Sequence, residues 1–243
     1  MEISVIVPCF NKSATIKRDL AKIHSFLSLN YKSFEIILVD DGSTDDTLKL
    51  LSSMKVPQLH IISYYRRRGT GYAIRRGIFA SNGENIVCIN DIEEFSPVFI
   101  KACVNSLKFC DIALGSRYLY NNKSYKNQAP KGLMSRFYNF AVRILLKIKT
   151  TDFEAGLKGF KTEPAREVFA RQELHKIGFE LEMLKYAKQH NYNIVEFPVK
   201  TITNVKSNYS FKDFLAMLVS ILKLTRHSKR KSQLQEKRLL VCQ

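Results

Sequence analysis

The chain has no Cys-x-x-Cys pair, no His-x-His or His-x-x-x-His grouping, and no apolar run long enough to span a bilayer, which takes roughly 18–20 residues. Its five cysteines (Cys9, Cys88, Cys103, Cys110, Cys242) are odd in number, and four lie in apolar surroundings. That pattern speaks against a disulfide framework and predicts reduced, buried thiols in a cytosolic protein. The five scattered histidines support no zinc site. Met1 runs directly into an apolar segment, so no secretory leader is expected. Acidic residues are scarce, 22 Asp and Glu against 39 Lys and Arg, a net charge of +17. Such an excess predicts an acidic partner: a phosphorylated ligand, an anionic membrane or nucleic acid. Nucleic acid rests on charge alone, because no aromatic–basic recognition module is present, and a phosphate-rich membrane surface accounts for the charge more simply. At 243 residues with 45% apolar content, the chain suits one α/β domain with a full core and a small appendage.

What is present is organised around Phe34–Leu51, FEIILVDDGSTDDTLKLL. The run Ile36-Ile37-Leu38-Val39 has no polar alternation and reads as a strand buried on both faces of a parallel sheet. It ends at Asp40 and Asp41; Gly42 and Ser43 supply a turn, and Thr44 or Asp45 caps a helix beginning near Asp46. Ile3–Val7 repeats the logic, ending at Pro8-Cys9-Phe10-Asn11, with Ser13 capping a helix over Ala14–Leu27. Two strands that end in polar edges, each followed by a helix, make a βαβ unit. Its ligand belongs beyond the carboxyl ends of the strands, where adjacent carboxylates are well placed to accept hydrogen bonds from a sugar or base; the alternative is that Asp40 and Asp41 serve only as turn and capping residues.

Further along, Leu59–Ser63 and Asn85–Asn90 read as strands, with a helix over Ala73–Ala80 between them. Arg66-Arg67-Arg68-Gly69-Thr70-Gly71 at the first strand-to-helix junction is suited to cradle a diphosphate, with a solvated basic loop as the alternative. Cys110–Arg117 reads as a strand ending in Gly-Ser-Arg, whose guanidinium can pair with phosphate. Residues 118–135 form a long cationic loop of the kind that acts as a lid or acceptor loop. Ser135–Ile148 reads as an amphipathic helix, the stretch from Gly178 to His190 as another, and Tyr192–Val199 as a last strand.

The segments SVIVPCFNKSATI and EIILVDDGSTDDT resemble the family 2 nucleotide-sugar glycosyltransferases of the GT-A fold. Thr151–Phe160, TDFEAGLKGF, looks like the D-x-x-C/S-G-x-K segment of their polyprenyl-phosphate branch, closest to the dolichyl-phosphate mannose or glucose synthases. The resemblance implies an α/β fold with a Rossmann-like, mixed but mostly parallel sheet and helices on both faces, over residues 1–205. It also implies transfer of a hexose from a nucleoside diphosphate sugar to a lipid phosphate. On that view Pro8, Phe10, Asn11, Asp40 and Asp41 bind the nucleoside, and Arg68 and Gly71 lie near the diphosphate. Arg117 and Arg136 hold the acceptor phosphate. Asp152 stands near the acceptor as a base or an orienting group, or else only caps a helix boundary, and Glu180 or Glu182 closes that side.

Several positions depart from the family pattern. Its two metal-binding aspartates fall on Asn90 and Ile92 by spacing from Pro97, or, shifted by one, on Asp91 and Glu93. In the second register Asp91, with Glu93, holds Mg²⁺ or Mn²⁺, ions that take hard oxygen ligands; alternatively Glu93 and Glu94 are exposed residues opening a helix over Pro97–Lys108. Lys12 stands where the family has an acid, and Thr70 where it has a lysine. The departures leave open a catalytically weak member that binds nucleotide sugar or a partner as a scaffold. Residues 206–243 change character: Phe211–Leu224 is apolar and a basic cluster follows at once. This reads as an amphipathic helix anchored in the plane of an anionic membrane surface, or as a core helix with a basic tail.

Overall fold

Ile36–Val39 sits at the heart of strand β2 (Phe34–Asp40), every residue of which is buried. The computed structural model describes residues 1–90, 94–119, 143, 150–153, 156–176 and 178–201. Around β2 are β1 (Ile3–Cys9), β3 (Leu59–Ser63), β4 (Asn85–Ile89), β5 (Ile112–Ser116), β6 (Leu157–Lys161) and β7 (Ile194–Pro198). They form a seven-stranded sheet in the order β3-β2-β1-β4-β6-β5-β7. All pairings are parallel except those that β6 makes with β4 and β5.

Helices α1 (Ile16–Asn30), α2 (Thr47–Ser52) and α4 (Val98–Leu107) cover one face. There Ile16, Leu20, Ile23 and Leu27 of α1 pack with Val5, Ile36, Leu38 and Val87. Helices α3 (Thr70–Ala80), α5 (Thr162–Ala170) and α6 (Phe179–Gln189) cover the other, with Ile74, Ile78, Val168, Phe169 and Leu184 against Ile6, Ile37, Ile112 and Phe160. Each such aliphatic side chain contributes about 1.5–3 kcal/mol by leaving water. The unalternating strands therefore have an apolar partner on both sides. Cys9, Cys88, Cys103 and Cys110 are free and buried.

Three local expectations are corrected. Helix α1 starts at Ile16 rather than Ala14, and no side chain caps it; the Ser13 backbone N–H is instead directed at Asp45 Oδ2, 3.1 Å away. Glu94 is buried, 6% exposed, and outside the helix. No element is expected over residues 157–170, of which 157–160 close the motif segment Thr151–Phe160, yet they form the antiparallel strand β6 and helix α5. The expected loop beyond Leu119, the helix at 135–148 apart from residue 143, and the appendage at 206–243 lie outside the described residues. Among the described residues no helix is long and apolar enough to cross a membrane.

Candidate functional site

The carboxyl ends of β1 and β2 lie side by side, in register from Ile3–Phe34 to Cys9–Asp40, and their loops are bonded to each other. Asn11 adopts a left-handed backbone, φ 51°, a conformation Asn tolerates better than most residues. Its N–H donates to Ser43 Oγ at 2.9 Å, and its Oδ1 accepts from Thr44 N–H at 2.9 Å. Lys12 N–H donates to Thr47 Oγ1 at 2.8 Å. Asp45 accepts from Thr47 N–H at 3.0 Å, but α2 starts at Thr47 with Asp46 in the N-cap position and no side-chain capping bond, so the cap expected from Thr44 or Asp45 is corrected. Asp40, 1% exposed, accepts from the Ser43 backbone N–H and hydroxyl. Burial first, and Asp40 second, push the Cys9 thiol up to about 12, so it stays protonated at neutral pH and is no nucleophile.

Asp41 organises the next loop. Its Oδ1 accepts from Tyr64 Oη at 2.7 Å and from the Arg68 and Gly69 N–H groups at 2.8 and 3.1 Å; Gly69 N–H also reaches Oδ2 at 2.9 Å. Gly71 N–H donates to His175 O at 3.0 Å. The backbone donors of residues 68, 69 and 71, expected to cradle a diphosphate, are thus taken by the protein's own acceptors. What this loop offers an anion is guanidinium. Arg67 stacks on Phe10 with its Cζ 4.1 Å from the ring centroid, and Arg68 stacks on Tyr72 at 4.0 Å while donating to its hydroxyl at 3.0 Å. Both planar cations are therefore held in place at the rim. Gly69 has φ 107°, which an L-residue adopts only with strain.

A second polar cluster lies beyond β4 and β5. Arg117, 8% exposed, is gripped by Asp152: Nε donates to Oδ2 at 2.7 Å, Nη2 to Oδ1 at 2.8 Å, and the backbone N–H to Oδ2 at 3.1 Å. Its Nη1 donates to Glu94 Oε1 at 3.2 Å. Asp152 is itself 1% exposed. The bidentate grip fixes the plane of the Arg117 guanidinium. Glu196 of β7 accepts from Thr151 N–H at 2.7 Å and Asp152 N–H at 2.9 Å. Neither Glu94 nor Glu196 stood out in the sequence. The available signal was a carboxylate inside the otherwise apolar β7, and another followed directly by a buried Phe95.

At the end of β4, Asn90 N–H donates to Gly156 O at 2.8 Å, while its Oδ1 is buried without a hydrogen-bond partner. Among the described residues no three His, Cys, Asp or Glu side chains gather as a metal-binding set; Asp91, Glu93 and Arg136 lie outside them. An unsatisfied hard oxygen at a strand end is a ligand type that Mg²⁺ and Mn²⁺ take, so the described part of the motif fits a divalent ion. Of the two acids expected on α6, Glu180 forms an ion pair with buried Lys158, at 3.8 Å. Glu182 accepts from the N–H groups of Glu173 and Leu174 and so holds the loop ahead of the helix. Burial is the main cause raising both carboxyls.

Residues 4–169 match the family described as glycosyl transferase family 2. Similar curated proteins include glycosyltransferase AglD of Haloferax volcanii, 27% identical over 82% of this chain and 33% of its own length. The dolichyl-phosphate beta-glucosyltransferases of Dictyostelium discoideum (28% identity, 81% of this chain, 65% of that protein) and Homo sapiens (27%, 82% and 66%) are also similar. The chain thus spans a third to about two thirds of the length of these relatives. Among solved structures, glucosyl-3-phosphoglycerate synthase from Mycobacterium tuberculosis, in complex with Mn²⁺, UDP and phosphoglyceric acid, shares the fold. Its TM-score is 0.62 at 20% identity, over 91% of this chain and 78% of that one. The same synthase with UDP alone gives 0.64 at 19% identity, over 91% and 79%.

Proposed function

The chain belongs to glycosyl transferase family 2, and we propose that it moves a hexose from a nucleoside diphosphate sugar to a polyprenyl phosphate of the dolichyl type. The observation that carries the acceptor class is the similarity to dolichyl-phosphate beta-glucosyltransferases over four fifths of the chain. Uridine is the preferred base, because those relatives transfer glucose and the solved neighbours were crystallised with UDP. The GT-A unit comprises residues 1–205. Residues 206–243 seat it on the cytoplasmic face of an anionic membrane, where a lipid acceptor resides.

In this reading Pro8, Phe10, Asn11, Asp40 and Asp41 form the nucleoside shelf, Asp41 by fixing the loop that carries Arg67 and Arg68. Arg68 and the chain at Gly71 flank the diphosphate. Asn90, Asp91 and Glu93 would hold Mg²⁺ or Mn²⁺, which when bound neutralises charge on the departing diphosphate. An oxygen of the acceptor phosphate attacks the anomeric carbon as the bond from that carbon to the diphosphate breaks. A phosphate is already anionic at neutral pH and needs no general base. Asp152 accordingly serves by holding Arg117, which with Arg136 faces the acceptor.

Calorimetric titration of UDP and GDP, with and without Mn²⁺, on wild type and Asp91→Ala, tests the donor half. The expected result is Mn²⁺-dependent UDP binding that the substitution abolishes. Transfer of labelled glucose from UDP-glucose to dolichyl phosphate tests the acceptor half. Absence of binding to either nucleotide would overturn the reading in favour of a scaffold that has lost its donor site.

A further inference from the structure

The segment Thr150–Phe153 runs as a short strap across the ends of β5 and β7, and the edge strand β7 holds it through one side chain. Glu196 lies opposite Leu114 in the parallel β5–β7 register, two residues short of Ser116. Its Oε1 accepts from the successive backbone N–H groups of Thr151 and Asp152, at 2.7 and 2.9 Å. The Thr151 hydroxyl lies 3.0 and 2.9 Å from the two Glu196 oxygens and 2.8 Å from Ser116 Oγ. Two consecutive N–H groups converging on one carboxylate fix the backbone on either side of the peptide they share. The residue so fixed is Asp152, whose own carboxylate grips Arg117, the residue that follows β5. A line of charge-assisted bonds thus runs from Glu196 through the strap and Asp152 to Arg117, and from Arg117 to Glu94.

We propose that Glu196 is a positioning residue for the transfer reaction: it sets the strap so that the Asp152–Arg117 pair stands in one geometry at the crevice. The proposal rests on the reading of that crevice as a sugar-transfer centre. Without Glu196 the strap keeps the Ser116–Thr151 contact and the Asp152–Arg117 pair itself. The pair would then have to order the backbone that carries it, which costs conformational entropy. A misplacement of a functional group by about 1 Å lowers rates by up to roughly 100-fold. Glu196→Gln keeps an amide oxygen for the two strap N–H groups and an NH₂ that can donate to the Thr151 hydroxyl; Glu196→Ala keeps neither.

The experiment pairs steady-state transfer from UDP-glucose to dolichyl phosphate with ¹⁵N NMR of the Arg117 Nε–H, on full-length wild type, Glu196→Ala and Glu196→Gln. Glu196→Ala is expected to lower kcat by about 10- to 100-fold with UDP affinity unchanged, because the nucleoside shelf lies at β1 and β2. Glu196→Gln is expected to restore most of the rate. The Arg117 Nε–H signal should be slow to exchange in wild type and Glu196→Gln and lose that protection in Glu196→Ala, where the retained pair samples more than one geometry. A protected Arg117 signal in Glu196→Ala, an unaltered kcat, or a glutamine variant as impaired as alanine would each overturn the proposal. If wild type transfers nothing to dolichyl phosphate, the functional reading has failed, and the Arg117 signal still decides whether Glu196 positions the pair.

Discussion

Asp41→Asn isolates one charge with almost no change of shape. Tyr64 Oη and the N–H groups of Arg68 and Gly69 all donate to Asp41, at 2.7 to 3.1 Å, and the carboxylate is 4% exposed. Hydrogen bonds to a charged group contribute about 1.5–3 kcal/mol each, and neutral ones about 0.5–1.5. Neutralising the acceptor therefore removes about 1 kcal/mol per donor, on the order of 3 kcal/mol for the set. Arg67, whose Nε lies 3.7 Å from Oδ2, is 61% exposed and is left out of that sum because solvent screens it. Each kcal/mol moves the melting temperature of a domain this size by about 2–4 °C, so the expected drop is roughly 6–12 °C by scanning calorimetry at pH 7. High salt should leave the difference in place, since buried pairs are little screened. Tyr64→Phe, which deletes one donor, should lower stability by about 1 kcal/mol. An Asp41→Asn protein that melts with wild type, or a difference that vanishes in high salt, would refute the claim that this carboxylate holds the Arg66–Gly71 loop.

The other polar anchors give equally direct tests. Asp152→Asn breaks a buried bidentate pair, a loss of about 3–5 kcal/mol; the surviving Glu94 contact keeps it near the low end, and thermal unfolding should show a fall of roughly 6–12 °C. Gly69→Ala places a Cβ at φ 107° against His175 O and the Lys176 side chain, and should destabilise by at least about 2 kcal/mol in chemical denaturation. Burial first, then Arg68 and Arg75, hold the His175 imidazole below its ordinary value of 6.5. In the window beneath 6.5 the unfolded chain binds the proton more readily, so this part of the stability is full above 6.5 and is lost as pH falls through that window. The melting-temperature gap between wild type and His175→Gln should accordingly be constant above neutrality and narrow on acidification.

The sequence revealed what depends on local pattern. Ile36–Val39 and Ile3–Val7 read as doubly buried strands because they lack polar alternation, and both are central in the sheet. The helix after Gly69 and the strand at Leu59–Ser63 followed from the same periodicities. Strand β6 escaped notice because Leu157–Lys161, LKGFK, carries two lysines and a glycine. Its placement depends on long-range facts: Gly159 lets Cys103 and Leu107 of α4 approach, and Lys158 finds Glu180 on α6. Asp40 and Asp41 were legible as polar residues at a strand edge and turn, which covers the local Ser43 donor, but the donors at Tyr64, Arg68 and Gly69 are set by tertiary geometry. Glu196 was hidden for the same reason: its partners lie 44 and 45 residues away along the chain.

These anchors bear on the charge of the molecule as a whole. Among the described residues Asp19, Glu35, Asp40, Asp41, Glu94, Asp152 and Glu182 are buried, against Arg117 and Lys158 as buried cations. Among the described residues the buried charge is therefore net negative, which leaves their outward-facing charge more positive than their sum. Five of the buried carboxylates, those of Glu35, Asp40, Asp41, Asp152 and Glu182, accept backbone N–H groups. Each such bond satisfies a donor that would otherwise be an orphan or a rival binding point for an anionic ligand. A phosphate arriving at the rim therefore finds guanidinium rather than backbone. Arg67 and Arg68 are stacked on Phe10 and Tyr72, so less side-chain freedom remains to be lost on binding. Internal anions fix the loops, and the guanidinium groups of Arg67 and Arg68 that those loops carry stand at the rim.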